Sequence, residues 1–232
     1  MRSICVIPAR SGSKGIQDKN IQLVGNKTLL DRAVMCAIDS GVFSDIIVSS
    51  DSEEYLKAYK DWLGVAVSKR PKHLSGGEIH SSVVVNWEMQ RYTARTGSSI
   101  DIVCMMLPTS PFRNYVSIAK AVSMIQPGVV DSIVGVWDSG KYINNLRYLD
   151  IDHRLISVSD EIGSHHQRQG LKKIYQVTGS VFVASGPAFL REKTFHMKNT
   201  IGLEIGYIEA LDVNSMKDLE IARDFERLFH AG

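Results

Sequence analysis

Between residues 7 and 20 the chain reads Ile-Pro-Ala-Arg-Ser-Gly-Ser-Lys-Gly-Ile-Gln-Asp-Lys-Asn, directly after its first apolar stretch. Two glycines, two serines, an arginine and two lysines in one loop suit a polyanion. Glycines let backbone N–H groups approach an anion closely, and successive amides form a concave nest. Cationic side chains then neutralise the charge held there. The spacing is neither Gly-x-x-x-x-Gly-Lys-Ser/Thr nor Gly-x-Gly-x-x-Gly, which excludes a P-loop and a dinucleotide fingerprint. The segment is a phosphate loop of another kind, or a βα loop with a solvated basic tip.

Other chemistry-bearing residues follow further apolar stretches: Ser49-Ser50-Asp51, Arg70-Pro71, the run from Leu107 to Arg113 (Leu-Pro-Thr-Ser-Pro-Phe-Arg), Asp138, and Leu211-Asp212-Val213-Asn214. By itself Arg70-Pro71 reads as a simple strand exit, and Asp212 as a cap for a final helix. His165-His166 is no metal pair, because adjacent side chains on an extended chain point apart and no third ligand sits at useful spacing. No nucleophile elbow is present, so nothing points to a covalent intermediate.

Positioning these residues requires elements, and the pattern supplies them. Apolar runs alternate with helical periodicity, which predicts an α/β fold with βα repeats and a mainly parallel sheet. Strands are expected at 3–8, 45–50, 65–69, 100–107, 132–137 and 180–185. Helices are expected at about 29–40 with Gly41 as its stop, 52–63, 81–96, 115–125 and 215–229. In an open sheet of this kind ligands bind beyond the carboxyl ends of the strands, where the Arg10 loop, Asp51, Arg70, the 108–113 run and Asp138 fall. The rhythm breaks over 139–175, a polar stretch with short β-tending pieces at 142–149 and 155–159. Thirty-odd structureless residues inside a compact domain are unexpected, so this is an inserted arm.

A length of 232 residues fits one domain with a sizeable core, here 1–232 with 139–175 as its arm. The net charge of +2 is too small to imply a nucleic-acid partner. No apolar run approaches the ~20 residues that span a bilayer. Cys5, Cys36 and Cys104 sit in apolar stretches at wide spacing, the pattern of reduced core thiols in a cytoplasmic protein.

The 7–20 loop resembles the signature of the cytidylyltransferases that activate sialic acid and related 2-keto sugars (Ile-Pro-Ala-Arg-Gly-Gly-Ser-Lys-Gly-Ile-x-x-Lys-Asn), with Ser11 its one departure. The 107–113 run is similar to that family's Gln-Pro-Thr-Ser-Pro-Leu-Arg, and the remaining motifs fall in the expected order. The resemblance implies a three-layer, Rossmann-like nucleotide-diphospho-sugar transferase fold whose 139–175 arm packs on a second subunit. It implies attack of an acidic 2-keto sugar on the α-phosphorus of CTP, with release of pyrophosphate. Ala9, Arg10, Ser13, Lys14, Lys19 and Asn20 are then expected on the triphosphate and ribose, and Arg70 and Ser82 around the cytosine. Arg10, Lys19 and Asp212 are expected to carry catalysis.

Asp212 and Asn214 stand where the family has an Asp-x-Asp pair for Mg²⁺ or Mn²⁺, with one charge lost at Asn214. The expected acceptor side comprises Leu107, Thr109, Ser110, Lys141, Arg168, Gln176, Phe182, Phe195 and His196. Leu107 replaces the family's glutamine, and Gln176 replaces an arginine found in sialate enzymes. Arg168 matches the arm arginine suited to a sugar carboxylate. A homodimer with CTP and a nonulosonic acid as its substrates follows from the resemblance. An octulosonic acid as acceptor and a nucleotide-binding homologue that has lost catalysis stay open beside it.

Overall fold

The computed structural model describes residues 1–12, 15–141, 143, 146–158 and 173–230. Ser13, Lys14, Arg168 and the histidine pair at 165–166 therefore lie outside the described residues. The chain starts with β1 (Ser3–Pro8), a small hairpin of β2 (Leu23–Val24) and β3 (Lys27–Thr28), and α1 (Leu29–Ser40). It continues through β4 (Asp45–Ser50), α2 (Glu53–Tyr59), β5 (Val65–Lys69), α3 (Ser81–Thr96), β6 (Ile102–Met105) and α4 (Tyr115–Ser123). Then come β7 (Ser132–Asp138), the hairpin β8 (Arg147–Leu149) and β9 (Leu155–Ser157), and β10 (Tyr175–Ser185). The last elements are α5 (Gly186–Glu192), β11 (Thr200–Glu204) and α6 (Met216–His230).

Seven strands form the central sheet in the order β11-β7-β10-β6-β1-β4-β5. β1 pairs in parallel with β4 and β6, β4 with β5, and β7 with β11, whereas β10 runs antiparallel between β6 and β7. Alternate residues of β1 face opposite layers. Cys5 and Ile7 join a core with α1, α2 and α4, while Ile4 and Val6 join one with α3 and α5. Burial on both faces is why β1 reads as an unbroken apolar run. A third cluster packs Leu219 and Ala222 of α6 on Ile16, Val24 and Leu29, and so ties the C-terminal helix to the loop after β1.

Local signals set most boundaries. Thr28 and Asp31 form a reciprocal capping box at α1, and Gly41 ends it at φ 65°. Gly97 ends α3 in the same way at φ 68°. The structure differs from the sequence expectation in several places, among them β6 and α4, which are shorter than the expected 100–107 and 115–125. β10 starts at Tyr175 rather than 180, because its polar first half extends the ladder with β7 past a register shift between Val177 and Phe182. β11, an edge strand interrupted by Gly202, and the short α5 carry too little periodicity to be read. α2 stops at Tyr59, where the 60–64 turn takes over through Trp62 N–H donating to Tyr59 O. Within the 139–158 stretch, β8 and β9 form a separate two-stranded sheet with Tyr148, Leu149 and Leu155 exposed.

Candidate active site

The chain winds from β1 outward through β4 and β5, then returns to β6 on the other side of β1. The loops leaving β1 and β6 therefore part, and the crevice between them is where an open α/β sheet binds ligands. A cleft of about 240 Å³ occupies that position, with Arg10, Lys19, Asn20, Arg70, Thr109 and Asp212 on its walls.

The loop after β1 is anchored at several points. Ala9 is buried and its N–H donates to Ser49 O at 2.9 Å. Asn20, also buried, donates from Nδ2 to Arg10 O at 2.8 Å, which folds the basic loop back over the strand end. Asp18 adopts φ 48°, a left-handed conformation that Asp tolerates, and opens the tight turn Lys19–Ile21. From that turn Lys19 Nζ donates to Val213 O at 3.0 Å, across 194 residues of sequence. Burial pulls the Lys19 ammonium below the usual lysine range, and the nearby Asp212 charge opposes that pull.

Opposite this loop stands Arg70, 4% exposed at the end of β5. Its Nε and Nη2 have no hydrogen-bond partner, and burial lowers its pKa. Asp51 and the buried Glu88 of α3 are the carboxylates that face it. Burial pushes the Glu88 carboxyl up, against the hydroxyls of Ser49 and Ser68 and the charges of Arg91 and Arg70. Ser82 is buried, with Oγ 2.7 Å from His80 Nδ1 at the start of α3, and its neighbour Ser81 lines the cleft.

A second cleft of about 230 Å³ lies beside the first and shares Asp212 and Asn214 with it. Trp137, Gln176, Thr178, Gly179, Tyr207 and Asp218 complete its walls. Trp137 and Tyr207 meet edge to face, ring centroids 5.3 Å apart. Asp212 Oδ1 is buried without a partner, while Oδ2 accepts from Asn214 Nδ2 at 2.8 Å. Asp218 caps α6. Burial works to raise its pKa, but donors from Ser215 and the Asn214 amide prevail and hold it below the usual carboxylate range. Arg113 ties the two clefts together: it donates to Leu107 O at 2.6 Å, Ser180 O at 2.6 Å and Gly179 O at 3.3 Å.

Of the residues expected around the nucleotide, Arg10, Lys19, Asn20 and Arg70 line the first cleft, whereas Ala9 and Ser82 are buried beside lining residues and form no part of its wall. The expected acceptor residues divide. Leu107 and Thr109 line the first cleft and Gln176 the second. Ser110 is buried beneath Gly179. Phe182 and Phe195 are buried in the α3/α5 core, with ring centroids 5.6 Å apart, and His196 lies edge-on to Phe182 at 6.2 Å. Lys141 is exposed. Asp138 lies away from the first cleft and pairs with Lys173 at 3.0 Å. Sequence reasoning gave no role to Trp137 or Tyr207, which stand in no motif, nor a specific one to Gly179 or Arg113, although each falls in a stretch similar to a family motif.

Residues 4–209 match the cytidylyltransferase family. The chain is 30% identical to N-acylneuraminate cytidylyltransferase of Streptococcus agalactiae over 94% of its own length and 52% of that protein. It thus spans about half the length of that relative. It is 25% identical to pseudaminic acid cytidylyltransferase of Campylobacter jejuni, over 99% of this chain and 98% of the relative. Among solved structures, CMP:2-keto-3-deoxy-manno-octonic acid synthetase complexed with CTP superposes with a TM-score of 0.67 at 11% identity, over 98% of this chain and 99% of that one. The synthase of 4-diphosphocytidyl-2C-methyl-D-erythritol from Anaerococcus prevotii gives 0.65 at 10% identity, over 97% and 96% of the two chains. These structural likenesses show a shared fold.

Proposed function

Because the chain belongs to the cytidylyltransferase family, we propose that it transfers CMP from CTP to an acidic 2-keto sugar of the nonulosonic kind, releasing pyrophosphate. The observation that carries this reading is the pair of clefts joined at Asp212 and Asn214. A nucleotide in the first cleft would present its α-phosphorus at the junction, and a sugar in the second would bring its anomeric hydroxyl to the same point. The hydroxyl oxygen bonds to the α-phosphorus and its proton passes to water, the bond from that phosphorus to the oxygen bridging to the β-phosphorus breaks, and pyrophosphate leaves.

Such a step needs positioning and charge stabilisation more than covalent chemistry. Arg10 and Lys19 supply positive charge on the triphosphate side, with Ser13 and Lys14 as further members of the same loop. A triphosphate replaces the water that Lys19 loses on burial. Arg70 lines the first cleft at the base side, and Asn20 stands at the ribose side. The donor set at Asp212 fits a hard cation. Its Oδ1 is buried and unpartnered, Asn214 carries an amide oxygen, and the triphosphate offers more oxygens. Mg²⁺ or Mn²⁺ held there would neutralise phosphate charge. Among the described residues no three His, Cys, Asp or Glu side chains gather to hold a metal without the nucleotide.

Exposed apolar side chains on β8 and β9 support a homodimer built through the 139–175 arm, with Lys141 and Arg168 as the cations available to the sugar carboxylate. No helix among the described residues is long and apolar enough to cross a membrane. Three buried free thiols support a reducing, cytoplasmic setting. The hydrogen bond from Asn214 to Asp212 favours one second reading, a nucleotide-binding homologue with impaired turnover. Pyrophosphate release from CTP across a panel of nonulosonic and octulosonic acids separates the two. No release with any of them, despite saturable CTP binding, would leave the second.

A further inference from the structure

Ser11, the one departure of the phosphate loop from the family signature, has a partner for its hydroxyl. Its backbone N–H donates to Asp51 Oδ1 at 2.8 Å and its Oγ to Asp51 Oδ2 at 2.9 Å. The same Oδ1 lies 4.0 Å from Arg70 Nη2. Asp51 follows β4, so it stands between the loop after β1 and the arginine after β5. Nε and Nη2 of Arg70 are buried without a hydrogen-bond partner, and Arg70 lines the first cleft. A guanidinium fork at that position suits two adjacent acceptors. Cytosine presents such a pair in O2 and N3, whereas uracil presents O2 beside an N3–H donor that opposes the fork's second donor.

We infer that Asp51 is a positioning residue that couples the phosphate loop to Arg70, so that the Ser11–Asp51 clasp governs base selectivity as well as nucleotide affinity. This rests on reading the first cleft as a cytidine nucleotide site. A buried guanidinium with unsatisfied donors is costly to hold in place, and a nearby carboxylate fixes its orientation. Glu88 faces Arg70 from α3, but it touches no part of the phosphate loop. Of these two carboxylates, Asp51 is the one that links the loop to Arg70. The two Ser11 donors fix both carboxylate oxygens, so losing the hydroxyl frees the Asp51 side chain to rotate and lets the Arg70 fork drift off the base.

The test is titration calorimetry of CTP and UTP, with Mg²⁺, on the wild-type chain and on Ser11→Ala, Ser11→Thr and Asp51→Asn. The wild type is expected to prefer CTP. Ser11→Ala should weaken CTP binding about 5-fold, the worth of one net hydrogen bond, with a smaller loss for UTP. Ser11→Thr, which keeps the hydroxyl, should restore it. Asp51→Asn should weaken CTP further and narrow the CTP:UTP ratio at least about 3-fold. Equal losses for both nucleotides, or an unchanged ratio, overturn the coupling while the site reading stands. A wild-type chain that binds no CTP overturns the site reading instead. If Asp51→Asn shows no cooperative unfolding transition, Ser11→Ala decides alone, and wild-type affinity and ratio in that variant sink the inference.

Discussion

Gly179 lies directly against Asp212: a methyl group on residue 179 would come within 3.4 Å of Asp212 Oδ1 and 2.9 Å of Ser110 Oγ. The irregularity in β10 brings the backbone this close to the carboxylate, and Arg113 holds it there through Gly179 O and Ser180 O. Gly179→Ala is therefore expected to shift Asp212 or the buried Ser110. Turnover should fall about tenfold, a barrier change near 1.4 kcal/mol, with the KM for CTP within about twofold of wild type. Steady-state kinetics at saturating sugar measure this, and an unchanged kcat would show that the contact has slack.

Lys19 connects the phosphate loop to the segment carrying Asp212. Replacing it with Ala removes a charge-assisted contact that should strengthen as charge develops on the leaving group. A loss of ~10²-fold or more in kcat/KM is expected. Full activity in Lys19→Ala would mean that the phosphates bind elsewhere.

One carboxylate and one amide hold a hard cation less firmly than two carboxylates. Asn214→Asp should lower the magnesium concentration for half-maximal rate, and Asp212→Asn should nearly abolish turnover. Magnesium titrations of both variants test this directly. An Asp212→Asn curve that overlays the wild type would leave Asp212 as no more than part of the α6 cap.

The division of the acceptor residues between two faces of β10 is open to kinetics. Tyr207 is 62% exposed, so Tyr207→Ala should fold normally. With the acceptor in the second cleft, it should raise the KM for the sugar about 5-fold or more through lost aromatic contact, while CTP binding is retained. His196→Ala, on the other face, should leave the sugar KM near wild type. The opposite pattern would move the acceptor to the Phe182–Phe195 side.

Glu88 gives a pH signature. Its carboxyl is 2% exposed and its folded pKa lies above the unfolded value. The folded state thus binds its proton more tightly, so the favourable contribution is complete below about pH 4 and is lost as pH rises through the folded pKa. Glu88→Gln, neutral and similar in shape, should unfold at a higher temperature than wild type at pH 8. The gap should close toward pH 4. Each kcal/mol would appear as about 2–4 °C in a chain of this size. A gap that widens on acidification would show that the ionised carboxylate stabilises the fold.

The βα rhythm, the basic loop after β1 and the span of α3 from Ser81 to Thr96 are legible in the sequence alone, because short-range patterns write them. Periodicity of 3.6, a glycine after the last turn and an apolar run ending in polar residues all act within a few positions. The same locality explains the first cleft, where Arg10, Arg70 and Thr109 each follow a strand that the pattern reveals. The tertiary structure alone decides the second cleft. Side chains on β10 alternate between faces, so one register shift between Val177 and Phe182 sends Gln176 to the Trp137–Tyr207 cleft and Phe182 into the opposite core. Nor does any local pattern announce that Lys19 meets Val213 or that Ser11 meets Asp51. Those pairs arise where α6 packs on the loop after β1 and where neighbouring strands end together, and the register of the sheet sets such meetings across long stretches of chain.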